Sequence, residues 1–575
     1  MHRMHTRDRA KAIAAAAFAA CLVAACTPPS QVSGDAGAIL FVNGDIITVD
    51  DAVPSAEAVA IRDGRILAVG SVEDVTRAAG PDALMRDLGG ATLVPGFIDA
   101  HGHLAIMAQS AGMANLQPPP AGNVSTIAEL QDALRAWRTA HPDAPWIVGF
   151  GYDDSLLAEQ RHPDRADLDA VAADVPIMLV HTSAHFATCN TACLTAAGIT
   201  AETPDPPGGA IRREADGAAP NGVFEETALM LVARHAPQPS QDTRVAGLVA
   251  VQEVYARNGI TTVQDGASSP QQVEDMRRAA AEGGLYLDVV AYQHFPDGSS
   301  IGADFEVSKT YDHHFRMGGI KLILDGSPQG KTAWLTRPYI IPPAGQETGY
   351  SGYGTYTDEG AASLMEAAYA RDIQVIAHVN GDRAIDQLLG LAASAEADYP
   401  ETDARTVAIH AQTARLDQLD TMAALGIIPS FFAAHPFFWG DWHRDSVLGP
   451  ERAASISPLA SAAARGLPYT MHTDSPIVPP DMMHLLWVAV NRETRSGQVL
   501  GPAERAGQAD ALRAITLNAA RQYSEEADKG SITAGKRADL VVLSANPLTV
   551  DPAAIGDIRI LETLKDGETV FRDGP

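Results

Sequence analysis

Leu93-Val94-Pro95-Gly96-Phe97-Ile98-Asp99-Ala100-His101-Gly102-His103 is the stretch from which the rest of the chain can be read. Its apolar start predicts a strand over Leu93–Asp99 that runs out into a His-x-His pair. Side chains alternate along a strand, so Asp99, His101 and His103 share one face. Gly102 lets the backbone come close to whatever the two imidazoles hold. Alone, such a pair is more often a pair of packed histidines than a metal site. The later strands of the chain change that balance.

Seven further β-like runs come after it: Gly259–Gln264, Tyr286–Tyr292, Gly319–Leu324, Gln374–Ala377, Thr406–Ile409, Gly426–Phe431 and Pro468–Met471. Helical patterns separate them, which predicts an α/β chain folded as a (β/α)8 TIM-like barrel over residues 94–527. The gap between the first and second runs is too long for one crossover. Residues 112–245 therefore read as a large insertion after barrel strand 1, with a strand near Pro176–His181. Residues 38–93 and 528–575 are short β segments with Asp-Gly turns, at Asp63-Gly64 and Asp566-Gly567. They predict a small β-sandwich built from both termini.

Four more of the runs end in, or carry, ligand-type side chains. Ile320-Lys321-Leu322 buries a lysine in an apolar strand, where an unpaired ammonium is costly and its pKa falls. A neutral amine of that kind can take up CO2 as an anionic carbamate. An ion pair with Asp325 or Asp474 is the plainer alternative. Val375-Ile376-Ala377-His378 and Val407-Ala408-Ile409-His410 are apolar strands ending in His, each singly a common core arrangement. Asp474, in His472-Thr473-Asp474-Ser475, is singly a common helix cap. All six positions fall where strands 1, 4, 5, 6 and 8 end, and in a (β/α)8 barrel those ends converge on one face. Imidazole and carboxylate ligands without thiolate suit Zn, Mn, Fe or Ni, with zinc the default.

With these residues in view, the chain resembles the amidohydrolase superfamily, and within it the amidohydrolase-3 group that includes N-substituted formamide deformylases. The resemblance spans roughly residues 38–573. It rests on Leu93 to His103, Gly259-Ile260-Thr261-Thr262-Val263-Gln264-Asp265-Gly266, Ile320-Lys321 with Asp325-Gly326, His378-Val379-Asn380-Gly381-Asp382, Leu448-Gly449-Pro450-Glu451-Arg452, and Lys529 to Leu540. It implies a hydrolase of carbon–nitrogen bonds other than peptide bonds. His101, His103, Lys321 and Asp474 would hold one divalent metal. N-carboxylated Lys321 would bridge to a second, held by His378 and His410. A metal-activated hydroxide would attack, with Asp474 as general base and then acid; one or two ions fit the resemblance. Lactone or cyclic-imide hydrolysis, deamination, and a non-catalytic ligand-binding role in the envelope stay open. The chain departs from the group's common patterns at Val407-Ala408-Ile409-His410 and His472-Thr473-Asp474, which bears on what lies behind the ligands. Two insertion segments, around Gly149-Phe150-Gly151-Tyr152-Asp153-Asp154 and Thr182-Ser183-Ala184-His185, resemble pocket-lining stretches of the group. They nominate Tyr152, Asp153 and His185 as substrate contacts. His435, among aromatics after strand 7, is a fourth candidate; a packed capping loop is the equal alternative.

The first residues give an address. Arg3, Arg7, Arg9 and Lys11 precede an apolar run, Ala12–Ala25, that is too short to span a bilayer and fits a signal peptide over 1–25. Leu22-Val23-Ala24-Ala25-Cys26 resembles a bacterial lipobox, implying lipidation at Cys26 and a tether over 26–37. Expected, then, is an exported protein of the cell envelope, touching the membrane only through a lipid anchor. The net charge of −29 argues against nucleic acid and favours a neutral or cationic small-molecule substrate. A homodimer stays open. Cys189 and Cys193 read as two small packing residues or as a short bridge.

Overall fold

The computed structural model describes residues 37–574, apart from 216, 218, 344 and 401; the expected signal peptide and Cys26 lie outside the described residues. Eight strands form one curled parallel sheet in chain order: Phe97–Ile98 (β1), Ile260–Ser268 (β2), Asp288–His294 (β3), Phe315–Ile323 (β4), Gln374–Val379 (β5), Val407–His410 (β6), Ile428–Phe431 (β7) and Thr470–Met471 (β8). Their continuous apolar character follows from burial on both faces, because helices cover the outside. One such helix, Pro270–Ala281, starts where Ser269 and Gln272 form a capping box with Pro270 in the first turn. It turns Val273, Met276, Ala279 and Ala280 inward.

The ends of β1 and β8 are joined just beyond the strands. Asp474 N–H donates to His101 O at 3.0 Å, and His103 N–H donates to Ser475 O at 2.8 Å. The carboxyl of Asp99 accepts from Thr473 N–H at 3.0 Å and from the Thr473 hydroxyl at 2.5 Å.

The run expected as one strand over Leu93–Asp99 is two. Thr92–Pro95 pairs antiparallel with Leu540–Leu543 in a different sheet, whereas Phe97–Ile98 belongs to the barrel. Gly96 is the crossing point. A Cβ there would stand 2.5 Å from Thr261 Oγ1, so only glycine lets the chain pass. That other sheet has eight strands and draws on both ends of the chain: Ile39–Ile47, Ser55–Arg62, Arg65–Gly70, Leu84–Asp87 and Thr92–Pro95, then Leu540–Leu543, Ile560–Lys565 and Glu568–Arg572. Its two tight hairpins take positive φ at both turn residues, Asp63 (51°) with Gly64 (74°) and Asp566 (50°) with Gly567 (80°), as a type I′ turn requires.

Between β1 and β2 lies a six-stranded sheet with strands from Ala114–Asn115 to Pro220–Glu226, including Ile177–His181 where a strand near Pro176–His181 is expected. Cys189, ending one of its strands, is disulfide-bonded to Cys193 in the helix that follows, across only four residues, so the link restrains little chain.

Under the barrel, at the start of β3, Asp288 Oδ2 meets Lys529 Nζ at 2.6 Å and Lys565 Nζ at 2.9 Å, all three side chains being buried. Burial alone would raise this carboxyl, but Lys529 and Lys565, helped by His314, hold it well below the ordinary carboxylate value. The ions pin the two-ended sheet to the barrel floor. Replacing Asp288 with Asn removes the carboxylate both lysines share, leaving Lys529 with Glu525 (2.8 Å) and Lys565 with Asp539 (3.0 Å), and should cost about 3 kcal/mol in chemical denaturation. Because the folded carboxyl titrates below the unfolded one, the wild-type contribution is complete above roughly pH 5 and fades as acid protonates Asp288. The variant's acid-side stability curve should be flatter.

Candidate active site

The side chains of six positions expected as ligands meet at the mouth of the barrel where the strands end. His103 Nε2 and His101 Nε2 both address one oxygen of Asp474, Oδ1, at 3.2 and 3.5 Å. Lys321 Nζ stands 3.1 Å from His101 Nε2. His378 Nδ1 and His410 Nε2 face each other at 3.2 Å.

The outward side of each imidazole explains its inward side. His101 Nδ1–H donates to Gln264 Oε1 at 2.5 Å. The Gln264 amide cannot turn, because its Nε2 donates to Ala100 O at 3.0 Å. His101 Nε2 is left as a lone pair facing inward. His378 Nε2–H donates to Gly326 O at 3.1 Å, leaving Nδ1 inward in the same way. His410 Nδ1 is hydrogen-bonded at 3.1 Å to His472 Nε2, and His472 Nδ1 to Ser430 Oγ at 2.9 Å. Burial, more than the neighbouring cations, pushes His101, His378 and His410 well below the ordinary histidine value, which keeps them in the neutral, ligating form. Burial also brings the Lys321 amine down to about 7, against the pull of Asp474.

These donors fit a divalent cation. His101 Nε2 and His378 Nδ1 face inward as lone pairs, and His103 Nδ1 and Asp474 Oδ1 are buried without a hydrogen-bond partner. His101, His103 and Asp474 place one ligand atom each within 4.8 Å of the others. The backbone is held in costly conformations at the same places, with φ of 71° at His410, 43° at Ala411 and 58° at Asp474. Gly266 is obligatory beside His101, since a Cβ would come within 2.2 Å of the ring. Asp325 is no ligand. Its carboxylate accepts from the backbone N–H groups of Asn380, Gly381 and Trp334, fixing the loop after His378.

A cavity of about 510 Å³ opens onto this cluster. Apolar side chains, among them Ile106, Leu229, Met230 and Ile477, line it together with His103, Lys321, His378, His410 and Asp474. Of the four expected substrate contacts, His185 lines the cavity; Tyr152, Asp153 and His435 do not. The Tyr152 hydroxyl is spent inside the six-stranded sheet on His162 Nδ1 (3.0 Å) and Thr188 Oγ1 (2.9 Å). Asp153 accepts from Ser155 and from Trp439 Nε1, at 2.6 Å in each case. His435 packs on Phe432 and Trp439 and bonds His443 at 2.9 Å. Asp153, Asp154 and His181 could geometrically surround a cation. However, Ser183 N–H donates to His181 Nδ1, so the ring proton sits on Nε2, 3.1 Å from Asp154, and the ring faces the carboxylates with a proton rather than a ligating lone pair.

Comparison with known proteins agrees with this geometry. A family model described as "Amidohydrolase family" matches residues 85–571. An N-substituted formamide deformylase of Arthrobacter pascens is 30% identical over 92% of this chain and 97% of its own length. Protein LONG AFTER FAR-RED 3 of Arabidopsis thaliana is 29% identical over 90% of this chain and 89% of its own. Among solved structures, an uncharacterized metal-dependent hydrolase from Pyrococcus furiosus superposes with a TM-score of 0.66 at 25% identity, covering 89% of this chain and all of that one.

Glu226, Gln264 and His472 also border the site, yet none of them was nominated from the sequence. For His472 the signal was the departure from the common pattern just before Asp474. Replacing His472 with Leu should release the His410 ring and lower metal affinity about 10–100-fold, measured by chelator competition. Unchanged affinity would show that His410 is oriented by its backbone alone.

Proposed function

Because the chain belongs to the amidohydrolase family, and on that footing is a metal-dependent hydrolase of carbon–nitrogen bonds, we propose that it cleaves an amide such as an N-acyl or N-formyl amine, with Asp474 as general base and then general acid. One observation carries this reading. Asp474 Oδ1 is buried at the cavity wall, addressed by two imidazoles and hydrogen-bonded to nothing. The name of the Arthrobacter pascens relative supports the substrate class.

His101, His103, Lys321 and Asp474 would hold one ion, and Lys321 as a carbamate would share a second with His378 and His410; zinc is the expected metal. When bound, such an ion acidifies water and polarises the substrate carbonyl. Asp474 takes up the water's proton at its carboxylate and returns it to the leaving nitrogen. The apolar wall excludes bulk water and receives the organic substituent. Tyr152 and Asp153 act at one remove, by stiffening the six-stranded sheet, whose neighbouring Ser183, His185 and Glu226 roof the cavity, while His435 packs the helix after β7. We read that roof as the insertion over 112–245 and the two-ended sheet as the small β-sandwich domain.

Asp474→Asn should lower kcat at least a hundredfold on N-acyl amines, on the order of general-base contributions. A screen of N-acyl amines, lactones, hydantoins and amino-heterocycles, scored by product mass, separates this chemistry from its neighbours. Hydrolysis untouched by Asp474→Asn in a protein without stoichiometric metal would overturn the reading.

We also read residues 1–25 as a signal peptide and Cys26 as the lipidated residue, which would place the enzyme at the bacterial cell envelope. Support comes from the sequence alone. Among the described residues no helix is long and apolar enough to cross a membrane. Cys26→Ala should move the protein from the detergent phase to the aqueous phase in Triton X-114 partitioning. Retention in the detergent phase would refute the anchor.

A further inference from the structure

The cavity wall contains a second pair, the expected substrate contact His185 and a carboxylate that the sequence did not nominate, Glu226. His185 Nδ1–H donates to Glu226 Oε2 at 2.6 Å, and Glu226 N–H donates to His185 O at 2.8 Å. The two residues thus hold each other by side chain and by backbone. Both line the cavity. The His185 ring stands 5.1 Å from that of His378, edge-on at 62°.

Keeping the pair there is costly. Glu226 sits at φ 49° and ψ −124°, a conformation almost reserved for glycine, and Ala184, next to His185, has φ 58°. Each such residue costs about 1–3 kcal/mol, and persists where the surroundings over-determine it. The second carboxylate oxygen of Glu226 is buried with no hydrogen-bond partner. It has room only because residue 326 is glycine; a Cβ there would lie 2.3 Å from it. Gly326 is also the residue whose carbonyl orients His378. A carboxylate in a strained, half-satisfied position contributes little to stability. It does fix one imidazole of the cavity wall, beside His378.

We propose that Glu226 is a positioning residue that acts through His185, and that His185 Nε2 hydrogen-bonds the scissile amide of the substrate. This rests on the amide-hydrolase reading above. Glu226 locks the ring plane and commits Nδ1, so that Nε2 is the edge offered to substrate. His185 is thereby a direct contact, and Glu226 has no effect of its own once the imidazole is gone.

A double-mutant cycle on the full-length, metal-loaded protein tests this. His185→Ala and Glu226→Ala should each lower kcat/KM for an N-acyl phenethylamine by about 10–100-fold, the worth of a charge-assisted hydrogen bond. Metal content should stay unchanged. The double variant should be no worse than His185→Ala, because the two act as one unit. Glu226→Gln should recover part of the loss, since its amide oxygen still accepts Nδ1–H. Additive losses, or a Glu226→Ala enzyme as active as wild type, would overturn the inference while leaving the amide-hydrolase reading intact. The same cycle is read without turnover from calorimetric affinity for phenethylurea, a poorly hydrolysed ligand that keeps the amide group. If wild type hydrolyses no N-acyl amine, the amide reading fails; binding lost non-additively on this cycle still upholds the pair, and absent binding or additive losses sink it.

Discussion

Two hydrogen bonds from Thr473 to the buried carboxyl of Asp99 bring together the first and last barrel strands, and the site depends on that junction. β1 and β8 are each only two residues long, too short to hold each other by a ladder. Burial raises the Asp99 carboxyl to about 7, so its place in the interior is tolerated only because Thr473 supplies donors to both oxygens. Either side of this junction stand the ligands: His101 and His103 on one strand end, Asp474 on the other. This junction, with the backbone hydrogen bonds from Asp474 to His101 and from His103 to Ser475, fixes the separation of the groups that would share a cation.

Behind the ligands, the protein controls proton positions rather than charges. A glutamine amide, a backbone carbonyl and a further imidazole each occupy one ring nitrogen and so decide which nitrogen is free. His472, two residues before Asp474, supplies the imidazole that meets His410. Fine tuning of the metal's reactivity thus lies in residues that never touch it.

Much of this was legible in the sequence, for physical reasons. A parallel barrel buries its strands on both faces, so apolar runs mark them, and a charged or imidazole side chain at the end of such a run stands out. All eight strands and the ligand cluster follow from that contrast. The boundary at Gly96 did not, because a continuous apolar run does not reveal that its halves pair with different sheets. Tyr152 and Asp153 misled for a related reason. Polar residues at a strand end can face a cavity or complete an internal network, and the period of the strand is the same in both cases. Glu226 was invisible because its importance comes from a partner, His185, on a neighbouring strand end.

The order of the ligands along the polypeptide has a further consequence. His101 is made first and Asp474 last, and the junction between β1 and β8 closes only when the final strand docks. Until then the imidazoles have no fixed spacing and little power to discriminate among ions. Discrimination among ions therefore waits on the docking of the last strand.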